Sequence, residues 1–205
     1  MSARDFRAEL SAERCWDQGV QAVFELEREP LVDCILQNRE ELIGLCEFIE
    51  AHAIRSYLEI GVWTGRLLRA LDRLFRFDLL AACDDGYAAR FGLPLALPPR
   101  TRFFGGDCAS EAYRAFRRDL GPVDLTLLDA DHAYHAVRRD FAIHRELPHR
   151  FLAVHDITGA NPETRGVRQF WEELTDGHKL EIVRPHRELG LATSTMGIGI
   201  WWAAE

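Results

Sequence analysis

The chain has 205 residues, 47% of them hydrophobic, and a formal net charge of −8. Its length and apolar content suit one domain with a sizeable core. The negative charge and the lack of a long basic run argue against nucleic acid as the main partner, since a phosphate backbone rewards a positive surface. No apolar run approaches the roughly 18 residues that a membrane span needs.

The opening stretch, MSARDFRAELSAER, is charged and lacks the apolar centre of a signal peptide. Five cysteines, an odd number with no CxxC pair, speak against a disulfide framework or a structural zinc site. The expected setting is reducing and cytoplasmic. Residues 1–40 read as an N-terminal helical extension, and residues 41–205 as the main domain.

Residues 41–53 place Leu42, Leu45, Cys46 and Ile49 at three- and four-residue steps, which makes one apolar helical face. SYLEIG (56–61) is a short buried strand. Residues 65–75 return to helix, with Leu67, Leu68, Leu71 and Leu74 on one side. FDLLAACD (77–84) is a strand, and residues 86–100, with Pro94, Pro98 and Pro99, form an irregular loop. TRFFGGD (101–107) is a strand and turn, followed by a helix over 109–120. Arg114, Arg117 and Arg118 on that helix read as a solvated face.

PVDLTLLD (122–129) is the next strand, and a helix begins near Tyr134. RFLAVHD (150–156) is a further strand. Asn161 can cap the following helix, with Pro162 in its first turn. That helix is expected to bury Val167, Phe170, Trp171 and Leu174. LEIVR (180–184) and GIGIWW (197–202) are strands with no helix between them. Alternating strands and helices imply a mostly parallel seven-stranded sheet in a three-layer α/β sandwich. The last two strands add an antiparallel hairpin at one edge. His135, His144 and His149 read as surface residues, and Trp171, Trp201 and Trp202 as core or interface.

An acid recurs once per strand-helix unit: Glu59, Asp84, Asp107, Asp129 and Asp156, at steps of 25, 23, 22 and 27 residues. Ligands of such sheets bind beyond the carboxyl ends of the strands, so these acids are expected along one rim. The first turn, EIGVWTGR (59–66), has Gly61 and Gly65 where a loop passes close to a ligand. It is neither GxGxxG nor a P-loop. A nucleoside without a pyrophosphate suits it better, with Asp84 accepting hydrogen bonds from ribose hydroxyls.

LEIGVWTG resembles the first motif of class I S-adenosylmethionine-dependent methyltransferases, which are Rossmann-like. LLDADHAYHAVRRDF is similar to the D-G-D-H-x-Y-x-x-V-x-x-D segment of the group that includes macrolide-sugar O-methyltransferases and cephalosporin-hydroxylase-like proteins. Ala130 stands where that segment has Gly. The resemblance covers roughly residues 36–202. It implies that Glu59, Gly61 and Gly65 hold the amino-acid part of the cofactor. Asp84, with Asp85 as neighbour and rival, would bind ribose, and Asp107, flanked by Gly106, would sit near the adenine amine. It further implies Asp129 at the reacting end, joined by His155 and Asp156 as ligands of magnesium or another divalent metal, and His132 as catalytic base. His155 departs from the usual acidic ligand. Asp131 is expected to tie down its loop.

The function expected is methyl transfer to a small-molecule acceptor, at a hydroxyl oxygen. Two other readings stay open: an NAD-dependent oxidoreductase on a similar sheet, and a non-catalytic S-adenosylmethionine-binding protein. The N-terminal segment is a candidate for contact with a second copy of the chain in a homo-oligomer. Neither nucleic acid nor membrane is expected as a partner.

Overall fold

A computed structural model describes residues 4–15, 34–159, 162–184 and 196–204. Short helix α1 (Phe6–Glu9) precedes α2 (Arg39–Ala51). Then follow β1 (Ser56–Ile60), α3 (Arg66–Phe75), β2 (Leu79–Asp84), a 3-10 segment (Tyr87–Phe91), β3 (Arg102–Gly105) and α4 (Glu111–Leu120). The chain continues through β4 (Val123–Leu128), α5 (Tyr134–Arg145), β5 (His149–His155), α6 (Arg165–Glu173), β6 (His178–Ile182) and β7 (Ile198–Trp202).

The sheet among the described residues has the order β3-β2-β1-β4-β5-β7-β6. Strands β1 to β5 pair in parallel, and β7 lies antiparallel to both β5 and β6. This is the expected mostly parallel sheet, with β7 inserted between β5 and β6. The chain runs outward from β1 to β3, then returns to β4 on the other side of β1. The carboxyl ends of β1 and β4 therefore diverge at a topological switch point, where such sheets form a crevice.

Alternation along the strands divides the core. Tyr57, Leu80, Leu125, Leu127 and Ala153 pack with the buried faces of α2 and α3. Leu58, Ile60, Leu128, Leu152 and Val154 pack with α4, α5 and α6. Phe6, Leu10, Cys15 and Ile35 join the first of these clusters. Part of the N-terminal extension thus lies directly on the domain, and residues 16–33 lie outside the described ones. No disulfide joins any of the five cysteines among the described residues.

Three local expectations change. The helix predicted after Asn161 begins at Arg165, with Thr164 in the N-cap position. Pro162 precedes it in a turn, and Asn161 lies outside the described residues. Arg117 is fully buried rather than solvated. Its guanidinium donates to the carbonyls of Gly121 (2.7 Å) and Pro148 (3.0 Å), tying the end of α4 to the start of β5. His144 is buried rather than exposed, because its Nε2 meets the Tyr113 hydroxyl at 3.0 Å between α5 and α4.

Candidate active site

The first-motif loop leaves β1 at Gly61. Its amide donates to the Cys83 carbonyl (2.9 Å), while the Asp129 amide donates to the Ile60 carbonyl (2.8 Å). The loop is therefore held between the ends of β2 and β4. Gly61 has φ +83°, and a Cβ there would stand 2.2 Å from the Asp129 carbonyl oxygen. Gly65 has φ +78°, and its Cβ would stand 2.3 Å from the Ala96 carbonyl oxygen. Both glycines serve the close approach of chain to chain. The proline-rich loop folds back over this turn, with the Ala96 amide donating to the Thr64 carbonyl (3.1 Å).

Trp63 takes a left-handed conformation, φ +54°, which is uncommon for a bulky residue. Asp84 holds it there. One carboxylate oxygen accepts from the amides of Val62 (2.7 Å) and Trp63 (3.1 Å), and the other accepts from Gly86 (2.7 Å). Asp84 is only 7% exposed. The residue expected to meet ribose is thus engaged with three backbone amides. Asp85 is exposed beside it, and its carboxylate lies 3.5 Å from the Arg90 guanidinium.

Gly106 joins the end of β3 to β2 through its amide, 2.9 Å from the Asp84 carbonyl. Asp107 follows on the rim, exposed, with one oxygen accepting from the Ala109 amide (2.8 Å). Glu59 lies one residue back from the end of β1 and is buried. It accepts from the Tyr57 hydroxyl at 3.1 Å. Burial, with the Asp129 charge adding to it, raises its carboxyl well above the usual range.

The carboxyl ends of β4 and β5 bring four titratable groups together. Asp129 Oδ1 lies 3.1 Å from His155 Nδ1 and 3.4 Å from His132 Nε2. Asp156 Oδ2 lies 3.3 Å from His132 Nε2 and 3.6 Å from His155 Nδ1. Asp156 is itself left-handed, φ +64°, which marks the turn out of β5 as a strained position. Asp131 stays exposed and accepts from the Ala133 amide (2.9 Å), tying down the loop as expected. Helix α6 closes onto this loop through Gly166, where a Cβ would meet the His132 carbonyl oxygen at 2.6 Å.

The charges in this cluster are interdependent. Burial opposes ionisation of Asp129, but the two imidazoles outweigh it and hold the carboxyl well below its usual range. Burial likewise opposes a charge on His155, yet Asp129 and Asp156 push its imidazole up to about 10. His132 is also raised against the effect of burial, by its hydrogen bond to Asp129 and the charges of both carboxylates. Asp156 moves upward because burial and the Asp129 charge oppose its ionisation more than His155 assists it. The second ring nitrogen of His155 is buried and finds no hydrogen-bond partner among the described residues.

Of the residues expected to ligate a metal, Asp129 and Asp156 form a compact set with His132: one donor atom from each lies within 4.8 Å of the others. His155 adjoins this set as a hydrogen-bonding neighbour of Asp129. A small cavity under the loop is lined by Asp129, Ala130, His132, Val137 and Asp140, among others.

Two participants escaped the sequence reading. Glu41 on α2 is fully buried and accepts from the amides of Arg184 (3.2 Å), Met196 (3.3 Å) and Gly197 (2.9 Å), close to the turn after β5. Asp140 is buried beside the cavity, paired with Arg139 at 2.9 Å. The last position of the D-G-D-H-x-Y-x-x-V-x-x-D likeness falls on Asp140 and is its only trace in the sequence. No sequence signal marks Glu41, whose partners lie more than 140 positions away.

No protein-family model and no curated protein sequence matches the chain. Solved structures do. An O-methyltransferase from Bacillus cereus in complex with S-adenosylhomocysteine (SAH) superposes with a TM-score of 0.61 at 14% identity, covering 97% of this chain and 96% of that one. TomG from Streptomyces achromogenes, an O-methyltransferase involved in tomaymycin synthesis and solved with S-adenosylmethionine (SAM), gives 0.59 at 16% identity, covering 95% and 94%. The chain therefore has the Rossmann-like α/β fold of these enzymes. Among the described residues no helix is long and apolar enough to cross a membrane.

Proposed function

We propose that the chain transfers a methyl group from S-adenosylmethionine to a hydroxyl oxygen of a small molecule. The observation that carries this reading is a juxtaposition at the switch point. The glycine turn after β1 lies against Asp129, and Asp129 in turn anchors the cluster of His132, His155 and Asp156. A nucleoside site and a proton-accepting site thus share one crevice, as the fold's likeness to SAM- and SAH-bound O-methyltransferases leads one to expect.

When bound, S-adenosylmethionine supplies a sulfonium-activated methyl group to a nucleophile aligned with it. The protein's task is alignment and removal of one proton. His132, with its Nε2 facing two carboxylates, accepts the hydroxyl proton, and Asp129 and Asp156 stabilise the imidazolium that forms. His155 keeps Asp129 ionised and fixed in place. Asp85, on the exposed side of the turn after β2, receives the ribose hydroxyls, while Asp84 holds the loop.

A second reading rests on the three converging donors of Asp129, His132 and Asp156, which fit a divalent ion. Such an ion lowers the pKa of a hydroxyl bound to it. His132 cannot serve both readings, because a ligand has committed the lone pair that a base needs.

Titration calorimetry with SAH and with NAD tests the cofactor. Binding of SAH alone is expected, and binding of NAD alone overturns the proposal. Turnover is tested with methyl-labelled SAM against a panel of phenols and sugars. Labelling of any acceptor excludes the non-catalytic S-adenosylmethionine binder.

A further inference from the structure

The aromatic surface beside the crevice lies outside the proposed chemistry. Trp63, Tyr87 and Phe91 form a triangle with ring centroids 5.3 to 6.0 Å apart, all tilted or edge-on. Tyr87 is 49% exposed and Phe91 42%, among the most exposed large apolar side chains described. Two exposed rings against a half-buried Trp63 make an apolar surface that is open among the described residues. Over the Tyr87 ring, 5.0 Å from its centroid, sits the guanidinium of Arg90. The same guanidinium lies 3.5 Å from the Asp85 carboxylate.

A guanidinium is planar, stacks on aromatic faces and donates hydrogen bonds to carboxylates. A nucleoside combines the same two features: a planar base, and ribose hydroxyls that donate to a carboxylate. We propose that Arg90 is an internal competitor for the adenosine part of the cofactor. Its side chain occupies the Tyr87 face and the Asp85 carboxylate until the nucleoside displaces it. This rests on the nucleoside-cofactor reading above. Both partners of the Arg90–Asp85 pair are more than half exposed, so the contact is weak and readily exchanged. Displacement would free the guanidinium to solvent and cover the aromatic triangle with the base.

The test is calorimetric titration of 5′-methylthioadenosine, an uncharged nucleoside thioether, into the wild-type chain and Arg90→Ala, with SAH titrated alongside. Removing a weak exposed competitor should tighten 5′-methylthioadenosine binding about two- to five-fold. Tyr87→Leu and Asp85→Asn should weaken it. The salt dependence of binding tests the same point. Raising ionic strength from about 0.01 M to about 1 M cuts the screening length from roughly 30 Å to roughly 3 Å. That should tighten binding to the wild type and leave Arg90→Ala unchanged. Unchanged or weaker binding of 5′-methylthioadenosine by Arg90→Ala overturns the proposal and leaves the cofactor reading standing. If SAH binds and 5′-methylthioadenosine binds neither protein, the aromatic face is not the adenosine site and the proposal falls. If no nucleoside binds, the cofactor reading falls with it.

Discussion

Asp84 and Asp85 are adjacent in the chain and differ in how far the protein already uses their oxygens. Asp84 accepts three backbone amides and fixes the left-handed Trp63, so its substitution is first a structural event. Asp84→Ala should lower unfolding free energy by about 1–3 kcal/mol, the cost of leaving buried donors unpaired. Asp85→Ala should leave thermal stability unchanged and weaken SAH binding. Thermal melts and calorimetry on both variants check the pair. If Asp84→Ala melts like the wild type, the three amides are not held by its carboxylate. Gly61 carries a similar lesson. A Cβ there meets the Asp129 carbonyl and not open space, so Gly61→Ala forces the ends of β1 and β4 apart. Left-handed strain of about 1–2 kcal/mol adds to that clash, and urea unfolding should show at least this loss. The sequence marked both residues through motif spacing. It could not show which atoms meet them, because partners such as Val62, Gly86 and Asp129 are set by the fold.

Elements tell a different story, since hydrophobic period is local and tertiary contacts are not. The faces of α2 and α3, built on Leu42, Leu45, Leu67 and Leu71, were readable because three- and four-residue steps depend only on the helix itself. Arg117 and His144 were misread for the opposite reason. Each is polar on a helix and looks solvated, until packing of α4 against α5 and β5 supplies Pro148 and Tyr113 as partners. The start of α6 also escaped, because its position follows from Gly166 packing on the His132 loop. The Tyr113–His144 contact yields a prediction at this scale. Burial pushes the His144 imidazole down to about 3, against about 6.5 in an unfolded chain. Between those values the unfolded chain binds the extra proton. The stability from the neutral, buried ring is therefore full above about pH 6.5 and lost as pH falls toward 3, by up to about 1.4 kcal/mol per pH unit. Urea midpoints measured across that range should fall with pH, and His144→Leu should flatten the slope. An unchanged slope in His144→Leu would assign the acid sensitivity to other groups.

At the scale of the whole molecule, five strand ends bring residues from positions 59 to 156 into one region, and their phase is legible in the sequence alone. What phase could not supply was depth: Glu59 is sunk beside Tyr57, while Asp129 and Asp156 meet His132. That meeting makes the catalytic reading testable through pH and chelation together. A general base works only when unprotonated. Asp129 and Asp156 raise the His132 imidazole, so the rate of methyl transfer should climb with pH along a limb centred above the ordinary imidazole value of about 6.5. Asp129→Asn removes one of the charges that hold the proton on His132, and the limb should move to lower pH while the maximal rate drops. His132→Asn should lower kcat by about 10²–10⁴-fold, with SAH affinity kept. Under this mechanism, rates measured with EDTA match those without it. A rate that collapses on chelation, and returns with magnesium or manganese, makes His132 a ligand beside Asp129 and Asp156. Those three residues would then hold the ion, which would supply acidification of the hydroxyl, and the limb would shift with the identity of the ion added.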